Sequence, residues 1–186
     1  MNLTLSWDLF IVVFFALVIT YSFIIGRKES VKIILSSYIA IVAVQGLGNF
    51  TERVLGFSET KSMLSGIGIP IDTTATSILK LTFFITIVIF LAVRAGLHVQ
   101  YAKEGSLAVN MAMTALCGFA TAGLLLATLL TFIAGGQLLD MHIVTTPGLE
   151  GILKQSTLMT IMIQNLDLWF TLPAAVLIAA GITSNQ

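Results

Sequence analysis

The sequence predicts an all-α membrane protein of about four transmembrane helices, followed by a C-terminal amphipathic helix and a short apolar tail. Of its 186 residues, 57% are hydrophobic and only 10% are charged, with a mean hydropathy of +1.02. A soluble domain carries about 25% charged residues. The second observation is a series of apolar stretches close to the roughly 20 residues that cross a bilayer core as a helix. We therefore expect one membrane domain over residues 1–186.

Four stretches are apolar and long enough to be spans. Each is expected to be helical, because lipid offers no partner for backbone N–H and C=O groups. Lys80 and Arg94 mark the ends of the third span, and their long side chains are expected to reach outward to opposite interfaces. The predicted spans are residues 9–26, 33–50, 78–98 and 108–134.

Basic residues predict the orientation. Arg27, Lys28 and Lys32 fall within one short predicted turn between the first two spans. Lys and Arg are enriched in cytoplasmic loops, so this turn is predicted to be cytoplasmic and the N-terminus to lie outside. The residues expected to anchor the chain at the membrane interfaces are Trp7, Arg27, Lys28, Lys80 and Arg94.

Small residues recur at intervals of three or four along the fourth span. Such a stripe lets helix backbones approach closely in lipid. We expect it to pack within the molecule against the second span, which has its own small stripe, and homo-oligomerisation is the alternative. The candidate packing residues are Ala108, Ala112, Ala115, Gly118 and Ala122.

A polar stripe at helical spacing runs through the C-terminal region and predicts an amphipathic helix at residues 149–167. A helix of this kind lies in the membrane interface. The apolar tail, residues 168–182, contains Pro173 and is too short to span alone. The sequence leaves open whether residues 158–182 form a fifth span.

No catalytic, cofactor-binding or metal-binding residue is predicted, and the chain is not expected to be an enzyme. His98 and His142 fall at different predicted membrane faces, and no hydrolase, zinc-protease or phosphate-loop motif occurs. Two acidic residues touch apolar stretches: Asp8 is interpreted as interfacial, and Asp167 as part of the amphipathic stripe. A formal net charge of zero gives no basic field for nucleic acid.

Three short patches resemble the colicin V production (CvpA) family. They are Ser-Trp-Asp at residues 6–8 ahead of an apolar helix, the turn Gly-Arg-Lys at 26–28, and the small-residue stretch 116–123. The family usually carries Asp-Arg before a glycine repeat ahead of helix four, whereas residues 107–110 here read Leu-Ala-Val-Asn. The resemblance implies a cytoplasmic (inner) membrane protein linked to peptide-toxin production and envelope maintenance. It assigns no functional residue.

The function expected from the sequence is therefore a non-enzymatic, multi-pass membrane protein of the CvpA type, acting in toxin export or envelope maintenance. Its expected partners are the lipid bilayer, a second copy of the chain in the oligomeric alternative, and membrane or export proteins that the sequence does not identify. The alternative is a small channel or transporter subunit, which a polar, water-lined cavity through the bundle would favour.

Overall fold

The computed structural model describes residues 7–55, 73–94, 107–133 and 156–182. These residues form five α-helices, and the predicted all-α membrane class is confirmed. By length and hydropathy, three helices could cross a membrane, and a bent pair at the C-terminus makes up to four candidate spans. The helices are α1 (Trp7–Leu55), α2 (Thr73–Arg94), α3 (Leu107–Ile133), α4 (Thr157–Gln164) and α5 (Leu166–Ile182).

Helix α1 doubles back on itself at Gly26, which has φ 81° and ψ 170°. The hydroxyl oxygens of Ser22 and Ser30 are 2.5 Å apart across this point. Eight residues of straight helix would separate them by about 12 Å. Glycine adopts this positive φ without the clash that a Cβ causes. The reversal divides α1 into a first arm, residues 7–25, and a second arm, residues 27–55.

The two arms contain the spans predicted at residues 9–26 and 33–50. The connection between them is shorter than predicted, because residues 27–32 are helical and belong to the second arm. A single residue with positive φ, Gly26, therefore replaces the expected six-residue turn. The basic residues of the predicted turn, Arg27, Lys28 and Lys32, therefore lie on the first turns of the second arm.

Helix α3 lies at the centre of the bundle and contacts the other four helices. Cys117, Ala120 and Leu124 of α3 form a core cluster with the second arm, α2 and α5. Leu126 and Leu130 belong to a second cluster, shared with the first arm and α4. The central position explains why most of α3 is buried.

The bundle has two distinct ends. At one end Asp8 contacts Ser156, which precedes α4, and at the other Arg27 contacts Ala180 near the end of α5. Helix α5 therefore runs alongside the first arm in the same direction. Helix α4 meets α5 at an angle of 69°, so it lies across the Asp8 end rather than along the bundle.

The C-terminal region differs from its prediction in two ways. The amphipathic helix expected over residues 149–167 begins at Thr157 and breaks at Asn165, while residues 149–155 lie outside the described part. Pro173, expected to interrupt the tail, lies inside α5. A proline removes one helical N–H, and packed neighbours in a membrane bundle allow this. The bent α4–α5 pair is either a broken span or a re-entrant loop, so the question of a fifth span stays open.

Candidate functional site

A hydrogen-bonded cluster that we call the Asp8 joint (Asp8, Ser156 and Leu158) fastens α4 to the first arm. The Oδ1 of Asp8 accepts from the Ser156 hydroxyl at 2.5 Å and from the Leu158 N–H at 3.1 Å. The same hydroxyl accepts from the Met159 N–H at 3.0 Å, so Ser156 is the N-cap of α4. These bonds satisfy N–H groups that have no partner inside a helix. The joint connects residues 148 positions apart in the chain.

An apolar groove of about 440 Å³ begins beside the Asp8 joint and is partly open to the outside. We call it the lateral groove. The first arm supplies one wall, over nine residues or about 12 Å of helix rise. The first of these wall residues lies one turn beyond Asp8. The residues of this wall are Ile11, Val12, Phe15, Ala16 and Ile19.

The C-terminal helices and α3 supply the rest of the lateral groove. Leu158, Ile161 and Met162 of α4 lie over it, and Phe119 of α3 and Trp169 of α5 line the remainder. Among the described residues, the lining side chains are aliphatic, aromatic or, at Met162, a thioether, and none is charged. Because α4 crosses the end of the bundle, the groove is a covered apolar space that starts at a carboxylate.

The position of Trp169 depends on a glycine in α3. A Cβ placed on Gly123 would lie 2.2 Å from Cε3 of the indole, so only glycine allows this contact. The Trp169 ring also packs against Phe15 and Phe119, with centroids 5.7 and 5.6 Å away. Sequence reasoning did not find this pair. Small residues and a tryptophan are each common in membrane helices, and nothing local links two residues so far apart.

A second cluster, the Gly26 joint (Ser22, Gly26, Ser30 and Thr114), closes the opposite end. The Ser22 hydroxyl contacts that of Ser30 and lies 3.2 Å from the Thr114 carbonyl oxygen, to which it donates. Ser30 also donates to the Gly26 carbonyl at 3.0 Å. The side chains of Ser22, Ser30 and Thr114 are buried. This joint holds the reversal of α1 against α3.

The structure divides the predicted packing stripe of the fourth span. Gly118 and Ala122 are buried, Ala115 is half-buried, and Ala108 and Ala112 are exposed. A Cβ on Gly118 would lie 2.8 Å from the Ser22 Cβ and 3.1 Å from the Ile19 Cα, so Gly118 meets the first arm. The expected partner was the second span, which contacts α3 through a different cluster, around Cys117 and Ala120.

The predicted anchoring residues occupy varied positions. Trp7, Lys28 and Arg94 are exposed. Lys80 is half-buried, with its Cε 2.8 Å from where a Gly48 Cβ would be. Arg27 is half-buried and donates from Nη2 to the Ala180 carbonyl at 3.0 Å. A cation at a helix C-terminus is favoured by the helix dipole, so Arg27 also fastens the end of α5.

Hydroxyl groups buried along α3 are bonded inside their own helix. Each donates to the carbonyl four residues earlier, at 2.7–2.8 Å. Since their donors are already used, they give no support to the channel alternative. The residues are Thr114, Thr121, Thr128 and Thr131.

Within the described residues, no group of three or more His, Cys, Asp or Glu side chains is arranged to hold a metal ion. His98 and His142 lie outside those residues. Comparison of the chain with protein-family models, curated proteins and solved structures finds no match in any of the three. The proposed function therefore depends on the lateral groove and on the sequence.

Proposed function

We propose that the chain is a non-enzymatic, multi-span membrane protein that holds an acyl chain of a membrane lipid in its lateral groove. The observation that carries the proposal is the groove itself, because the described residues that line it have apolar side chains and it lies between candidate membrane spans. Its volume falls within the range of about 300–1,000 Å³ that is typical of small-ligand pockets.

The dimensions of the lateral groove favour an acyl chain over a partner helix. A membrane-spanning partner helix is about 30 Å long, so a groove wall of about 12 Å would contact only about two of its turns. A thin, flexible chain fits the same space along the roughly 12 Å between Ile11 and Ile19.

The resemblance to the CvpA family supports a finer assignment to the cytoplasmic membrane and to toxin export or envelope maintenance. In that setting a protein that holds a lipid chain would act as a membrane scaffold, alone or with an export partner. The density of basic residues at 27–32 supports the orientation with the Asp8 end outside. In a variant with Cys117 replaced, a new cysteine at Lys28 should resist an impermeant thiol reagent applied from outside, and labelling there would reverse the orientation.

Fluorescence quenching tests the groove directly. The chain has two tryptophans, so Trp7→Phe leaves Trp169 as the only one. In nanodiscs made with lipids brominated on the acyl chain, we expect strong quenching of Trp169, because bromine atoms in the groove contact the ring. Adding Ala16→Phe should remove most of this quenching, since the new ring occupies groove volume.

A matched control separates groove filling from general disturbance. Ala175 is exposed on α5 and does not line the groove, so Ala175→Phe should leave quenching unchanged. Both variants should elute as single species and keep their helical circular dichroism. Equal quenching in the Ala16→Phe and Ala175→Phe proteins would refute lipid binding in the groove.

A further inference from the structure

The rim of the lateral groove carries a negative charge. Asp8 is only partly buried, and the Leu158 residue that donates to it also lines the groove. Among the described residues that line the groove, none has a charged side chain. Arg53 and Lys80, basic residues described toward this end of the bundle, belong to the second arm and to α2, which contribute nothing to the groove.

We infer that the occupant of the lateral groove is a phospholipid with a primary-amine headgroup, its ammonium against Asp8 and one acyl chain between the first arm and α4. The inference rests on the proposed function and adds the headgroup to it. An ammonium group offers three N–H donors and a positive charge to the carboxylate. A choline headgroup has the charge without the donors, and an anionic headgroup meets a like charge, which disfavours it.

The position proposed for the acyl chain and the position proposed for the headgroup form one continuous site. The first groove residue, Ile11, lies one turn from Asp8, so a chain that enters at the rim passes the carboxylate before it reaches Phe15 and Trp169. The Asp8 joint also fixes the carboxylate, because two donors hold its Oδ1. A held carboxylate loses little side-chain entropy when it binds a cation.

The experiment uses the full chain with Trp7→Phe in nanodiscs of mixed lipid. Brominated phosphatidylethanolamine in unlabelled phosphatidylcholine is compared with brominated phosphatidylcholine in unlabelled phosphatidylethanolamine. Quenching of Trp169 at equal mole fraction gives the relative affinity. We expect a roughly two- to fivefold preference for the amine lipid, toward the low end of what one additional net hydrogen bond contributes. Brominated phosphatidylglycerol should bind more weakly than both.

Asp8→Asn is the decisive variant, because it removes the charge and keeps an oxygen that can accept from Ser156 and Leu158. It should abolish the preference, lowering quenching by phosphatidylethanolamine more than quenching by phosphatidylcholine, and Asp8→Glu should retain the preference. A preference that persists in Asp8→Asn, or a preference for phosphatidylglycerol, would overturn the amine assignment. If Ala16→Phe removes the quenching, the proposed function stands whatever the headgroup preference of Asp8→Asn. If Ala16→Phe leaves the quenching unchanged, the proposed function itself is refuted.

Discussion

The Gly26 joint and the Asp8 joint close opposite ends of the same bundle with similar hydrogen bonds in different surroundings. At the Gly26 joint, neutral hydroxyls bond to one another and to backbone carbonyls, and their side chains are buried. At the Asp8 joint, a carboxylate accepts from a hydroxyl and a backbone N–H and remains partly exposed. Beside the Gly26 joint the helices are in close contact, whereas the lateral groove lies beside the Asp8 joint.

This difference separates structure from function within one fold. The hydroxyl groups of the Gly26 joint bond to one another and to backbone carbonyls, so this joint holds helices together. The carboxylate of the Asp8 joint adjoins an open apolar space and keeps an accessible side, so that end can also hold a ligand. Substitutions at the Gly26 end should therefore act mainly on stability. Those at the Asp8 end should act more on binding.

The largest effect is expected where the first arm meets α3 beside the Gly26 joint. Gly118→Leu would place a side chain against the Ile19 backbone and Ser22, neither of which can move without separating the helices. Overpacking of this kind costs about 1–3 kcal/mol and occasionally more. We expect a matching loss in the free energy of unfolding in detergent. Ala112→Leu, on an exposed part of the same helix, should be tolerated, and equal loss in both variants would contradict the packing described for α3.

The next effect concerns the reversal itself. Gly26→Ala adds a Cβ at φ 81° and ψ 170°, a backbone region that is essentially restricted to glycine, where another residue costs roughly 1–3 kcal/mol. Space is not the cause, because a Cβ there would have nothing within 4 Å. Gly46→Ala is the control, also with open space but inside regular helix, and should be neutral or stabilising by about 0.5–1 kcal/mol. Thermal unfolding of both variants measures the difference, and equal midpoints would mean that the bend does not depend on the glycine conformation.

Much of the helical framework could be predicted from the sequence, because hydropathy and length are local properties. The stretches 9–26 and 33–50 lie in the two arms, and both α2 and α3 include most of a predicted span. The turn predicted at 27–32 begins one residue after the observed reversal at Gly26. Polar residues at 27–32 look like a loop, yet a single glycine with positive φ is enough to reverse the chain.

The candidate site could not be predicted, because its parts are brought together by tertiary contact. The sequence indicates an interfacial position for Asp8 before the first span, but its partner Ser156 lies 148 positions away. Trp169 depends on Gly123, and the break at Asn165 depends on α4 turning across the bundle. The polar stripe of the C-terminal segment predicted an amphipathic helix, and periodicity alone does not show where such a helix ends.

A smaller effect is expected at the Asp8 joint, since Asp8 is partly exposed and water or lipid headgroups can replace a donor that its carboxylate loses. Ser156→Ala removes the N-cap of α4 and one of the donors to Asp8. Loss of an N-cap costs about 1 kcal/mol. We expect lower protection of the α4 amides in hydrogen exchange, with little change in the second arm. Thr157→Ala, exposed at the next position, is the control, and uniform loss of protection over the bundle would show that the joint supports more than α4.

The smallest effect is expected from single hydroxyls at the Gly26 joint. Ser22→Ala removes one hydroxyl, but Ser30 still donates to the Gly26 carbonyl, so no buried donor is left without a partner. Side-chain hydrogen bonds between membrane helices contribute about 0.6 kcal/mol on average, and a loss of this size is expected. Ser36→Ala is the matched control: Ser36 is equally buried, and its hydroxyl makes no hydrogen bond to any of the described residues. Its removal should be neutral or slightly stabilising, because an unsatisfied buried group is lost. If Ser36→Ala destabilises the protein as much as Ser22→Ala, the two serines act through packing alone, and the hydrogen bonds assigned to the Gly26 joint contribute nothing to its stability.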